Sequence, residues 1–189
     1  MNVRAQPIIE DRLARPLSVS DVRTMIAAGV LAPDERVELV DGVLIQMAAK
    51  NRTHELVKNW LMLQAADNRG DGYTFSVEGT VYLDDNAFVE PDIAFHRPGT
   101  VITDLDGPDL LLVIEVADTS LRYDLGRKAD LYAEQGVPEL WVIDAHRRVT
   151  FVHRQATANG YAVLDERAGE DTLRPIAVPG FTMRLADAG

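Results

Sequence analysis

Leu110-Leu111-Leu112-Val113-Ile114-Glu115-Val116-Ala117 is the most hydrophobic run in the chain, and it carries one charge. A continuous apolar run of this length reads as a strand buried on both faces, at the centre of a sheet. Arg122 to Gln135 follows with helical character and stops at Gly136, a good residue for the position after a helix. Leu140-Trp141-Val142-Ile143 is then a second buried strand. A strand, a crossover helix and a second strand in one sheet predict that the two strands run parallel.

Outward from this unit the chain continues to alternate between the two periods. Ser18-Val19-Ser20-Asp21 is a capping-box pattern that opens a helix over Val19 to Ala28, closed by Gly29. Two β-type runs, Arg36 to Val40 and Val43 to Ile45, flank Asp41-Gly42, which predicts a tight hairpin. Asn51 can cap a further helix whose apolar stripe includes Leu56, Val57, Trp60, Leu61 and Leu63. Tyr73 to Val77, Thr80 to Leu83 and the run Glu90-Pro91-Asp92-Ile93-Ala94-Phe95 read as strands, the last headed by its proline. Val149 to Val152 is another, and Tyr161 to Leu185 reads as short edge strands. The order implies an α/β or α+β domain over residues 17–189, preceded by a poorly ordered arm at residues 1–16.

Composition narrows the chemistry. The chain has no cysteine, which excludes disulfides, zinc–thiolate sites and thiol nucleophiles. No run approaches a membrane span, and residues 1–15 lack the apolar core of a signal peptide, so a soluble cytoplasmic protein is expected. A net charge of −11 opposes general coating of nucleic acid, but leaves room for a local basic patch beside an acidic site. The four histidines show no paired ligand spacing, and there is neither a Walker-type phosphate loop nor a Gly-x-Ser-x-Gly elbow.

Glu115 is the most informative residue. A carboxylate inside an apolar strand is costly unless paired, hydrogen-bonded or bound to a metal. It sits near the C-terminal end of its strand, where sites gather in open α/β sheets. A buried ion pair, or a strand-end side chain reaching solvent, would explain it equally well. Asp92, which follows Pro91, reads either as a strand-entry site residue or as a turn aspartate. Asp124, Lys128 and Tyr132 are spaced i, i+4, i+8 and share one side of the crossover helix. Tyr132 reads as core, and Asp124 and Lys128 read either as an ordinary surface pair or, with the Lys128 stem lying along the sheet, as a way to bring its ammonium to Glu115. Glu38, alternating with Val37 and Leu39, reads as an outward-facing hairpin residue.

Together, Glu90-Pro91-Asp92-Ile93 and Leu112-Val113-Ile114-Glu115-Val116 resemble the Pro-Asp … Glu pattern of PD-(D/E)XK nucleases. The wider set is more specific. Val37-Glu38-Leu39-Val40-Asp41-Gly42, His54, Ile114-Glu115-Val116, Asp124, Lys128, Tyr132 and Gly136 through Asp144 resemble the Uma-type family of restriction-endonuclease-like proteins, over about Ser18 to Phe151. The resemblance implies an α/β, restriction-endonuclease-like core: a mixed sheet flanked by helices, with additional hairpins. It implies a metal-dependent DNA endonuclease in which Asp92, Glu115 and the Val116 carbonyl hold Mg²⁺ or Mn²⁺. Glu38 would be an accessory acid, and His54, Asp124 and Tyr132 possible accessory groups. The superfamily's usual lysine lies two residues after the glutamate, where this chain has Ala117, and the resemblance assigns its role to Lys128. Arg122 and Arg127 are candidate DNA contacts, and a homodimer or higher homo-oligomer is expected because duplex DNA is pseudo-symmetric. A nuclease fold that only binds or assembles is the alternative that the missing Glu-x-Lys lysine leaves open.

Overall fold

The computed structural model describes residues 8, 9, 12, 13 and 15–189, except 48, 49, 69 and 71. Most of the expected arm at residues 1–16 therefore lies outside the described residues. Its described part is a ribbon of two short antiparallel strands, β1 (Ile8–Ile9) and β2 (Arg12–Leu13).

Two further sheets form the body. The larger has six strands: β5 (Thr74–Val77), β8 (Ile93–His96), β9 (Leu110–Ala117), β10 (Glu139–Asp144), β11 (Val149–Thr157) and β12 (Gly160–Ala168). Their order across the sheet is β12-β11-β10-β9-β8-β5. β9 and β10 pair in parallel, as the crossover between them requires, and every other pair is antiparallel. The smaller sheet, in the order β4-β3-β7-β6, contains β3 (Val37–Val40), β4 (Val43–Gln46), β6 (Val81–Asp84) and β7 (Ala87–Val89). The β3–β4 turn is the expected hairpin, with Asp41 and Gly42 both at positive φ, 52° and 77°.

Every residue of β9 is buried. On one face Leu112, Ile114 and Val116 pack with Val57, Leu61 and Ala65 of α2 (Arg52–Asp67). On the other, Val113 and Ala117 pack with Ala129, Leu131 and Tyr132 of α4 (Ala129–Glu134). Strand alternation puts Glu115 on this second face. The amino-terminal helix α1 (Val19–Ala27) begins at Ser18 with the capping box complete. No helix among the described residues is long and apolar enough to cross a membrane.

Four expectations need correction. The crossover is not one helix. It runs as α3 (Leu121–Tyr123), a kinked segment Asp124–Lys128 and then α4, because Gly126 takes a non-helical conformation, φ −105° and ψ −113°. Glycine lowers the cost of such a break. The stripe on α2 is narrower than expected: Leu56 and Leu63 are 53% and 56% exposed, and the buried face instead includes His54 and Lys58. Glu90, Pro91 and Asp92 are not strand. They form the crossing from β7 in the small sheet to β8 in the large one. Finally, the tail holds one long edge strand, β12, followed by irregular chain that closes the α2 face with Leu173, Val178, Phe181, Met183 and Leu185. Phe181 lies 4.8 Å from Phe95, ring to ring, so this segment is core rather than edge.

Candidate metal centre

The passage between the two sheets brings the predicted residues together. Glu38 comes from β3, Asp92 from the crossing, Glu115 from β9, Asp124 and Lys128 from the kinked segment, and His54 from the first turn of α2. All six are buried, and all line one cavity of about 220 Å³. Tyr132 is buried beside them.

Asp92 is fixed through both oxygens. Oδ2 accepts from the Val116 backbone N–H at 2.8 Å and lies 3.1 Å from His54 Nε2. An ionised carboxylate has no proton to give, so His54 must be the donor there. Oδ1 lies 3.1 Å from Lys50 Nζ. His54 is itself positioned by Asn51, whose side chain accepts the His54 backbone N–H and caps α2. Burial pushes the Asp92 carboxyl upward, but His54, Lys50 and the Val116 N–H outweigh it and hold the group at about 2.

That shift has a stability consequence. The folded pKa lies below the ordinary aspartate value, so its contribution is present above pH 4 and is lost as pH falls toward 2. It is worth about 2 kcal/mol. Chemical denaturation of wild type and Asp92→Asn at pH 2, 3, 4 and 5 checks this: the wild-type advantage should disappear across that window, and a gap that does not change with pH would refute it.

The second half of the site is an acid–lysine–acid bridge. Lys128 Nζ lies 2.8 Å from Glu38 Oε1 and 2.9 Å from Glu115 Oε1. Tyr132 donates to Glu115 Oε1 at 2.7 Å, and Tyr123 donates to Glu38 Oε2 at 3.4 Å. Glu38 also accepts the Glu90 backbone N–H at 3.1 Å, which ties the small sheet to the crossing. Ser120 donates to Asp124 at 2.5 Å. Burial pushes Glu115 up to about 8 despite Lys128, with Asp124, Asp92 and Glu38 adding to the rise. Burial opposes the charge on Lys128, but Glu115, Glu38 and Asp124 outweigh it and raise its pKa well above the ordinary lysine value. Burial and Glu115 raise Tyr132, which keeps it a neutral donor. Tyr132 is thus both core, as its spacing suggested, and a partner of Glu115.

Sequence reasoning missed Lys50, Glu78, Tyr123 and Ser120. Lys50 stands one residue before the cap of α2, where no periodicity marks it. Glu78 adopts φ 53° and donates its backbone N–H to the Asp92 carbonyl at 3.2 Å, a relation invisible before the strands are paired. Of the two arginines singled out, Arg122 is exposed. Arg127 is committed to Asp41 through two bonds of 2.6 Å, and to Glu134 at 2.7 Å.

A mixed sheet with one parallel pair, an acid entering one central strand and a second acid on its neighbour are the α/β arrangement that the resemblance to restriction-endonuclease-like proteins implies. Residues 22–186 match the Uma2 family, described as "Putative restriction endonuclease", and the chain belongs to that family. It is also similar to the crystal structure of a "putative nuclease belonging to DUF820" from Anabaena variabilis ATCC 29413. That match has a TM-score of 0.71 and 13% identity, and covers 92% of this chain and 97% of the other. At that identity the likeness speaks for the fold. No curated protein matches the sequence.

Proposed function

We propose that this protein is a metal-dependent endonuclease that hydrolyses phosphodiester bonds in DNA. The observation that carries the reading is the 2.9 Å contact between Lys128 Nζ and Glu115 Oε1. It supplies a lysine to the acidic pair although Ala117 occupies the usual Glu-x-Lys position.

The residues suit a hard divalent cation. Among the described residues no group of three His, Asp or Glu side chains is placed to hold a metal ion. Mg²⁺ seldom needs one: it is typically held by one or two carboxylates, with water and substrate oxygens completing the shell. Four buried acids, Glu38, Asp92, Glu115 and Asp124, line one cavity with two lysines, Lys50 and Lys128, so the carboxylates outnumber the lysines there. A further cation relieves that excess. Asp92, Glu115 and the Val116 carbonyl are the proposed ligands, for Mg²⁺ or Mn²⁺. When bound, such an ion supplies Lewis-acid polarisation of the phosphate and a more acidic water.

The chain's own groups do the rest. His54 and the Val116 N–H orient Asp92, and Tyr132 orients Glu115. Lys128, charged and held on two sides, is placed to offset negative charge growing on the phosphoryl oxygens, an electrostatic contribution that needs no reorganisation during the reaction. Glu38 holds Lys128 and is the accessory acid of this scheme. Arg122, exposed at the start of α3, is a candidate phosphate contact, and two copies of the chain would present one site to each DNA strand.

Supercoiled plasmid incubated with Mg²⁺ or Mn²⁺ should become nicked or linear, and EDTA should abolish this. A second reading, a nuclease fold that binds without cutting, is favoured by one feature: Lys50 and Lys128 already compensate Asp92 and Glu115 without a metal. Plasmid and single-stranded DNA left intact under every cation would establish that reading instead.

A further inference from the structure

Lys50 and Lys128 both touch the proposed ligands, but they are held differently. Lys128 is rooted in the crossover and clamped between Glu38 and Glu115, with 5% of its side chain exposed. Lys50 comes from the connection between β4 and α2, lines the same cavity and is 13% exposed. Its ammonium bridges Asp92 Oδ1, at 3.1 Å, and Glu78 Oε1. Asp92 Oδ2 is already engaged by His54 and Val116, so Oδ1 is the oxygen left for a cation, and Lys50 occupies it.

Glu78 explains why Lys50 can leave. Its left-handed backbone is an uncommon conformation for a residue with a side chain, and the N–H bond to the Asp92 carbonyl locks it there. A second carboxylate, 34% exposed, thus shares the Lys50 ammonium with Asp92. Lys58 shares that carboxylate and also pairs with Glu55 at 2.8 Å, which keeps the receiving group in place. A lysine ammonium on a flexible stem can let go of one carboxylate while keeping the other.

We propose that Lys50 is an internal cation that a divalent metal must displace from Asp92 Oδ1, and that Glu78 receives the displaced ammonium. The inference rests on the metal assignment made above. It gives Lys50 a gating role: Asp92 is charge-compensated at rest, and metal entry frees an ammonium beside the cavity, where a substrate phosphate would approach.

The test is calorimetric titration of the full chain with Mn²⁺ alone, at low salt and without DNA. Lys50→Gln and Lys50→Met should bind Mn²⁺ about tenfold more tightly than wild type, because the competing charge is gone. Lys50→Arg, which keeps the charge, should show no gain. Lys58→Gln removes one positive charge from the same network without vacating Asp92, and should change the affinity less than about twofold. Glu78→Gln should weaken binding, since the displaced ammonium loses its acceptor. Thermal unfolding of each variant confirms that it is folded. Equal or weaker binding by both neutral Lys50 variants would overturn the exchange, and so would a Lys58→Gln gain as large as that of Lys50→Gln. Those results leave the metal assignment standing. If neither wild type nor any variant binds Mn²⁺, the metal assignment itself falls, and the exchange with it.

Discussion

Glu115→Gln should abolish metal-dependent cleavage while leaving the metal-free protein at least as stable as wild type. The two halves of this result have separate causes. Glutamine keeps the shape and the oxygen that accepts from Tyr132, but it removes the anion proposed to hold the metal. Loss of a ligand carboxylate should lower the cleavage rate by about a thousandfold or more. The stability half follows from the Glu115 carboxyl, which burial pushes up to about 8. A carboxyl whose folded pKa is raised supports the fold fully only below its unfolded value, near 4.5, and loses that support as pH rises toward 8. Glutamine mimics the protonated form and has no such loss. The variant should therefore gain on wild type steadily from pH 5 to pH 8, by on the order of 3 kcal/mol, and then hold that lead. Urea unfolding at pH 5, 6.5, 8 and 9 in the presence of EDTA reads this directly. A variant less stable than wild type at pH 8 would mean that Glu115 is a structural ion-pair partner. An active variant would remove it from the metal site. Residues whose loss stabilises a protein while ending its activity are the expected signature of a site held at a cost to the fold.

The legibility of this site in the sequence depended on how far each residue's environment is set by its own strand. Glu115 stood out because a carboxylate among seven apolar neighbours in one strand is costly, although its burial in an ion network and not at a solvent-facing strand end came only from the fold. The parallel β9–β10 pair was readable because one crossover helix permits few other arrangements. Lys128 was readable as a reach from the helix, although Gly126 reshapes that helix in a way spacing alone did not indicate. Glu38 was misread as outward-facing, because alternation in a hairpin reveals two faces but not what covers each one. Here the second face meets the crossing from β7 to β8, and Glu38 lies buried against Lys128 and the Glu90 N–H. Lys50 and Glu78 were unreadable for the same reason in stronger form. They meet Asp92 only through the pairing of β5 with β8 and the cap of α2, relations between distant segments that no local pattern encodes. The resemblance to a family supplied the residue set, and the folded chain supplied the wiring between its members.

Lys128→Met should produce the largest combined loss, and a second substitution should separate its components. Removing the ammonium leaves Glu38 and Glu115, both nearly inaccessible, facing each other without a cation. Breaking a buried ion network from one side typically costs about 3–5 kcal/mol, because the remaining charge is left desolvated. Cleavage should fall by about a hundredfold to a thousandfold, the usual effect of removing one preorganised electrostatic group. Activity loss alone cannot distinguish a collapsed site from a missing catalytic charge. The double variant Glu38→Gln/Lys128→Met can, because it removes one negative and one positive charge together and spares the fold most of the repulsion. It should recover most of the lost stability in urea unfolding at pH 7 and recover none of the lost cleavage. Recovery of both would make Lys128 a structural counter-ion, and the lysine missing from the Glu-x-Lys position would then have no replacement in this chain. Recovery of stability alone assigns Lys128 to the reaction, with Glu38 as the group that keeps its charge in place.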